Sequence, residues 1–253
     1  MKLNLKHVTA HNSLFRKSRG LWLAVLMALP VVGAAQTLTE DQKARLDELD
    51  GLLRENPELI ESVADSVKRY LKTEQDTRSR LEAQASWLSD ERHPVLGNPD
   101  GKRQLVVFND YNCPFCKRLE PVLEEAIEDY PDLKVVNVFL PLRQQMVSGL
   151  NTNSARYGMQ VWLDRPDVFA QVHEALMSKS GMHTASSLKK VAADTGTGKQ
   201  LERSAQLGER EQENYEVFTE LGLRGTPSLV IGGEVLPGFV PYERLKPLLD
   251  DAL

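Results

Sequence analysis

Leu105-Val106-Val107-Phe108-Asn109-Asp110-Tyr111-Asn112-Cys113-Pro114-Phe115-Cys116-Lys117 is the stretch on which the reading of this chain turns. Its four leading residues form an unbroken apolar run, the pattern of a strand. From Lys117 to Tyr130 apolar side chains recur at helical spacing, with Leu119, Val122, Leu123, Ala126 and Ile127 on one face. Between strand and helix stand Cys113 and Cys116, and the 253-residue sequence has no other cysteine. A helix N-terminus offers free N–H groups and a positive dipole end, and both favour a thiolate over a thiol. The arrangement predicts that Cys113 is an exposed nucleophile and Cys116, one turn further in, a shielded resolving thiol.

Other uses of the pair fit less well. A structural zinc site needs four ligands, and His93, His173 and His183 show no ligand spacing. Haem attachment needs a histidine directly after the second cysteine, where Lys117 stands. A structural disulfide across two residues closes a tiny loop and stabilises little. Thiol–disulfide chemistry is the reading that uses both residues.

Outward from this centre, the N-terminus reads as an export signal over residues 1–35. Lys2, Lys6, Arg16, Lys17 and Arg19 make a basic region, Leu21 to Val32 an apolar one, and Gly33-Ala34-Ala35 a small-residue cleavage site. The apolar segment is too short to span a bilayer as a helix; the alternative is an uncleaved N-terminal anchor. Removing those five basic residues from the chain's 31 leaves 26 basic against 36 acidic side chains, a net charge of −10. That balance argues against nucleic acid or an anionic membrane surface as a partner. An exported protein whose only cysteines form one Cys-x-x-Cys keeps that pair for exchange in an oxidising compartment, and the expected location is the periplasm.

Residues 36–92 are polar, helical in pattern and nearly free of glycine. Thr39-Glu40-Asp41-Gln42 reads as a capping box, and Asn56-Pro57-Glu58 as a helix restart with Asn56 as N-cap. Counting by sevens from Leu46 gives Leu53, Ile60, Val67, Glu74, Leu81 and Leu88. So narrow a seam suits pairing with copies of itself, which predicts an oligomerisation stalk; the alternative is packing on the chain's own catalytic domain. His93-Pro94-Val95-Leu96-Gly97-Asn98-Pro99-Asp100-Gly101 is turn-rich and marks the domain boundary.

Beyond the central stretch, Pro121 is expected to kink the helix, and Lys134 to Leu140 reads as a buried parallel strand. Helices are predicted near 152–163, 167–179, 185–194 and 198–222. Gly196-Thr197-Gly198-Lys199 lacks the spacing of a phosphate loop and reads as a turn. Ser228 to Ile231, Gly232-Gly233 and Glu234-Val235-Leu236 read as a β-hairpin, and Pro241 to Leu253 as a last helix.

In this order the elements resemble an α/β thioredoxin fold with an inserted helical domain, about 142–222, preceded by an N-terminal helical stalk. That is the plan of the DsbA family of periplasmic thiol–disulfide oxidoreductases. The resemblance covers residues 93–253 and rests on Phe108-Asn109-Asp110-Tyr111-Asn112-Cys113-Pro114-Phe115-Cys116-Lys117 and on Arg224-Gly225-Thr226-Pro227. It implies that Cys113 and Cys116 are catalytic, with Pro114 and Phe115 in support. It also implies that Pro227 is a cis-proline facing the disulfide, and that Thr226 and Pro227 meet the substrate. Two positions depart from the family. A buried acid often stands where this chain has Val107, so any proton acceptor must come from elsewhere, with Asp110 and water as candidates. Phe115 takes the place of the histidine found in the strongest oxidants, which implies a milder oxidant. Threonine before the proline and the helical extension are similar to the ScsC and Com1-like subgroup, and the threonine to the isomerases DsbC and DsbG.

The expected partners are cysteine-containing exported proteins, a membrane redox partner that resets the disulfide, and further copies of the chain in a dimer or trimer. No metal, organic cofactor or nucleic acid is required. Copper(I) binding by Cys113 and Cys116 without catalysis, a scaffold with a vestigial site, and a reductase dedicated to one client are the alternatives.

Overall fold

The computed structural model of the chain describes residues 38–252. The export-signal expectation for residues 1–35 lies outside them. The chain divides into two units, one ending at Leu59 and one running from Ile60.

In the first unit, helix α1 (Glu40–Glu55) starts at the expected capping box: Gln42 N donates to Thr39 Oγ1 at 3.2 Å and Thr39 N to Gln42 Oε1 at 2.9 Å. Asn56 closes α1 instead of opening the next helix. Its side chain donates to Leu52 O at 2.9 Å, and Pro57–Leu59 form a short 3-10 turn. A carboxamide can serve either helix end, and the Leu52 carbonyl, which also accepts the Asn56 backbone N–H, lay within reach behind it. No side chain of α1 is buried; Leu46, Leu49 and Leu52 are exposed.

In the second unit the described residues form a five-stranded mixed sheet of order β1-β3-β2-β4-β5. The strands are β1 (Val95–Gly97), β2 (Arg103–Asn109), β3 (Leu133–Phe139), β4 (Ser228–Ile231) and β5 (Glu234–Pro237). β2 lies at the centre, parallel to β3 and antiparallel to β4, with Val107 opposite Asn137 on one side and Leu229 on the other. A central strand is covered on both faces, so its side chains split by parity. Leu105 and Val107 join the core under α4 (Pro114–Asp129) and α10 (Tyr242–Asp251). Val106 and Phe108 join the opposite core, which holds Val217, Phe218 and Leu221 at the end of α9 (Gly208–Glu220).

That second core also contains Leu81, from α2 (Ile60–Ala83), and Leu88, from α3 (Ala85–Leu88). Both belong to the seam expected of a separate stalk, yet both are buried, at 6% and 5% exposure. The seam is therefore not one continuous surface. Its last two members cover a sheet face that α9 leaves open, while Ile60, Val67, Tyr70 and Leu71 of α2 remain exposed.

The insert between β3 and β4 packs α5 (Ser154–Asp164), α6 (Phe169–Ser178), α7 (Ala185–Asp194) and α8 (Gly198–Arg203) around Tyr157, Met159, Phe169, Val172, Leu176 and Leu188. The single helix expected over 198–222 is interrupted by a 3-10 turn, Ser204–Leu207. Buried Ser204 explains the break, because its hydroxyl bonds Leu201 O at 2.6 Å and Thr152 Oγ1 at 2.7 Å. Pro121 lies inside α4 without ending it. Among the described residues no helix is long and apolar enough to cross a membrane.

Candidate active site

Helix α4 begins three residues earlier than its apolar pattern indicates. Cys113 is the N-cap and Pro114 the first helical residue, where the missing proline N–H costs nothing. The first turn closes with Lys117 N donating to Cys113 O at 3.1 Å. Cys113 is not the exposed nucleophile expected: it is only 5% exposed and Cys116 is fully buried, whereas Pro114 and Phe115 form the surface. The cause is the segment before β4. The register of Phe108 opposite Ser228 brings Thr226 and Pro227 to the end of β2 from which the cysteine loop departs.

The Thr226–Pro227 peptide is cis. Thr226 O lies 3.2 Å from Cys113 Sγ. The Thr226 N–H has no hydrogen-bond partner among the described residues. Beside this turn is a cavity of about 350 Å³ lined by Gly222–Ser228, Val235, Pro237 and Gly238.

Both cysteines are free thiols in this structure, and their acidities are driven apart. The hydrogen bond from the Cys116 side chain, with help from the Cys116 and Phe115 backbone and from Thr226, outweighs burial and lowers the Cys113 pKa to about 5. Burial and the neighbouring Cys113 push Cys116 far above the ordinary thiol range. One sulfur is a ready thiolate and the other holds its proton, which is what a nucleophile and a resolving thiol require.

The loop ahead of the pair is braced from the insert. Asp110 is 1% exposed, and each of its carboxylate oxygens accepts a backbone N–H, from Asn112 at 2.8 Å and Arg143 at 2.9 Å. Burial raises its pKa all the same. Asn112 accepts from His183 N at 2.7 Å and donates to Gln144 and Ser154. Lys117 donates to the Lys179 and Gly181 carbonyls. Tyr111, stacked on Phe139, bonds His173 Nδ1 at 3.0 Å, and His173 Nε2 bonds Glu120 at 2.8 Å. Gly158 permits this packing, since a Cβ there would meet the Tyr111 hydroxyl at 2.7 Å. Val107 is fully buried, and its position supplies no acid. Of these residues the sequence gave a chemical role to Asp110 alone. Asn112 and Lys117 stand in the quoted motif without an assigned role, His173 lies outside it, and only their neighbours in space give them one. Among the described residues no group of three or more His, Cys, Asp or Glu side chains is placed to hold a metal ion.

The chain is similar to known proteins. Residues 104–250 match the family described as the DSBA-like thioredoxin domain. A linker-deletion mutant of Proteus mirabilis ScsC superposes with a TM-score of 0.65 at 30% identity, covering 87% of this chain and 98% of that one. A periplasmic thioredoxin-like protein from Salmonella enterica serovar Typhimurium gives 0.58 at 33% identity over 67% and 94% of the two chains. Disulfide bond formation protein D of Bacillus subtilis is 25% identical over 178 residues, 63% of this chain and 77% of that protein.

Proposed function

Because this chain belongs to the family of DSBA-like thioredoxin domains, we propose that it exchanges disulfides with cysteine-containing exported proteins in the periplasm through Cys113 and Cys116. The observation that carries the assignment is the placement of the pair: Cys113 caps α4 with its sulfur 3.2 Å from Thr226 O, beside the cis Thr226–Pro227 peptide, and Cys116 is fully buried one turn further in.

As an oxidase, the disulfide form is attacked at Cys113 Sγ by a client thiolate. The Cys113–Cys116 bond breaks, a client–Cys113 bond forms, and Cys116 leaves and takes up a proton. A second client thiolate then attacks its own chain's sulfur, completing the client disulfide and expelling Cys113. Expulsion is fast because the leaving thiol is the acidic one. The two electrons gained by the pair pass to a membrane redox partner that restores the disulfide. As an isomerase, the reduced Cys113 thiolate attacks a client disulfide and a different client thiol releases it, with no net electron transfer. Thr226 and Pro227 hold the client beside Cys113, and Pro114 and Phe115 present the surface it meets.

Periplasmic location is supported by the basic-then-apolar pattern of residues 1–35 and by the periplasmic origin of the similar Salmonella protein. Assembly into a dimer or trimer is supported by the uncovered Leu46, Leu49 and Leu52 of α1.

The test is trapping. Cys116→Ala should accumulate mixed disulfides with a scrambled, disulfide-containing client on non-reducing gels, and Cys113→Ala should form none. Trapping by Cys113→Ala instead would reverse the two roles.

A further inference from the structure

The cavity beside Thr226 and Pro227 has one guanidinium group on its lining and a second close to Gly222 at its edge. Arg224 lies on its lining, exposed, two residues before Thr226. Arg80, from α2, reaches the same loop: a Cβ built on Gly222 would stand 2.9 Å from its Nη1. Among the described residues neither arginine forms an ion pair. On the adjoining helix, Glu220 accepts instead from Gln84 at 2.7 Å. Arg80 sits at the C-terminal end of α9, where the negative end of the helix dipole holds a cation. Arg224 has no such partner.

The free charges stand out against the whole molecule, which carries a formal net charge of −5. An acidic protein keeps an anionic partner away everywhere except where cations are concentrated. Here they are concentrated at the turn whose N–H is unpaired and whose carbonyl touches Cys113. Apart from Thr226 and Ser228, the remaining lining is glycine, proline, valine and leucine, which leaves room for a side chain and offers no competing anion.

We propose that this cavity selects clients carrying an aspartate or glutamate next to the reacting cysteine, with Arg224 and Arg80 as the specificity-determining residues. The inference rests on the exchange reading of Cys113 and deepens it. Charge attraction at a partly exposed site acts mainly on the encounter, so it should appear in the second-order rate constant and fade with salt.

The test uses the full chain in its disulfide form and two reduced cysteine peptides that differ by one residue, glutamate or glutamine beside the cysteine. At low ionic strength the glutamate peptide should react roughly three- to tenfold faster, and the ratio should fall toward one as salt is added. In the Arg80→Gln/Arg224→Gln double variant the ratio should approach one at all salt concentrations. Gly225→Asp provides an independent check. A Cβ there meets nothing within 4 Å, so the residue is accommodated, and it should push the ratio below the wild-type value. Exchange with both peptides at equal low-salt rates overturns this inference alone, as does a preference that survives in the double variant. Exchange with neither peptide overturns the oxidoreductase reading and this one with it.

Discussion

Cys113 has an ordinary thiol pKa of 9.0 and is brought to about 5 by the hydrogen bonds that meet its sulfur, the one from Cys116 first. It is therefore almost wholly thiolate at pH 7, and its alkylation by iodoacetamide should rise about tenfold per pH unit up to roughly pH 5 and then level off. The same shift links redox state to stability. The folded reduced protein holds its proton less tightly than the unfolded chain does. The contribution of Cys113 is thus complete above pH 9, shrinks as the pH falls toward 5, and is gone below it. Cys116 has the opposite sign, since its pKa is raised, and it costs stability only where the unfolded thiol ionises, near and above pH 9. Denaturant melts of the reduced protein against reduced Cys113→Ser should separate steadily from pH 5 to pH 8. Thr226→Val, which removes a hydroxyl that stabilises the thiolate, should move the alkylation midpoint upward with little change in stability. An unmoved midpoint would show that the Thr226 side chain takes no part.

Among the elements, α2 and α3 behave least as their own pattern suggests. Leu81 and Leu88 continue the seven-residue count from Leu46, yet they meet Val106, Phe108 and Val230 in the core over one sheet face. Val67 and Leu71 on the same helix stay at 52% and 61% exposure. Leu81→Ala and Leu88→Ala should each cost about 2–5 kcal/mol, whereas Val67→Ala should stay within about 0.5 kcal/mol in a monomeric background. Urea denaturation followed by circular dichroism reads both. Equal small losses at all three positions would return Leu81 and Leu88 to an uncovered surface. Strand β2 explains why the helices are needed there. A central strand with apolar side chains at every position from Leu105 to Phe108 demands cover on two faces, and α4 and α10 lie on only one of them.

For the whole molecule, the assembly proposal narrows to the first unit, whose Leu46, Leu49 and Leu52 are uncovered. Deleting residues 36–59 leaves every buried leucine of the sheet core in place, so the truncated chain should fold. By light scattering it should be a monomer while the mature chain is a dimer or trimer. It should exchange with small thiols and lose the reshuffling of scrambled clients. Deletion through residue 92 removes Leu81 and Leu88 as well and should lower stability sharply. A mature chain already monomeric at roughly tens of micromolar, where weak assemblies still form, overturns the assembly proposal. Sequence by itself settled what local rules govern. The apolar run and Cys-x-x-Cys located β2 and α4, the turn residues located the β4–β5 hairpin, and the element order implied the α/β thioredoxin fold that the structure has. These readings hold because strand parity, helix spacing and capping act within a few residues of the chain. What only the tertiary structure decided depends on which surfaces meet. It buried Cys113 under the Thr226–Pro227 turn, divided the leucine seam between core and solvent, and gave Asn112, Lys117, Arg80 and Arg224 their places around the sulfur and its neighbouring cavity. Burial and pairing over long sequence separations follow from which faces need cover, and no short stretch of residues carries that information.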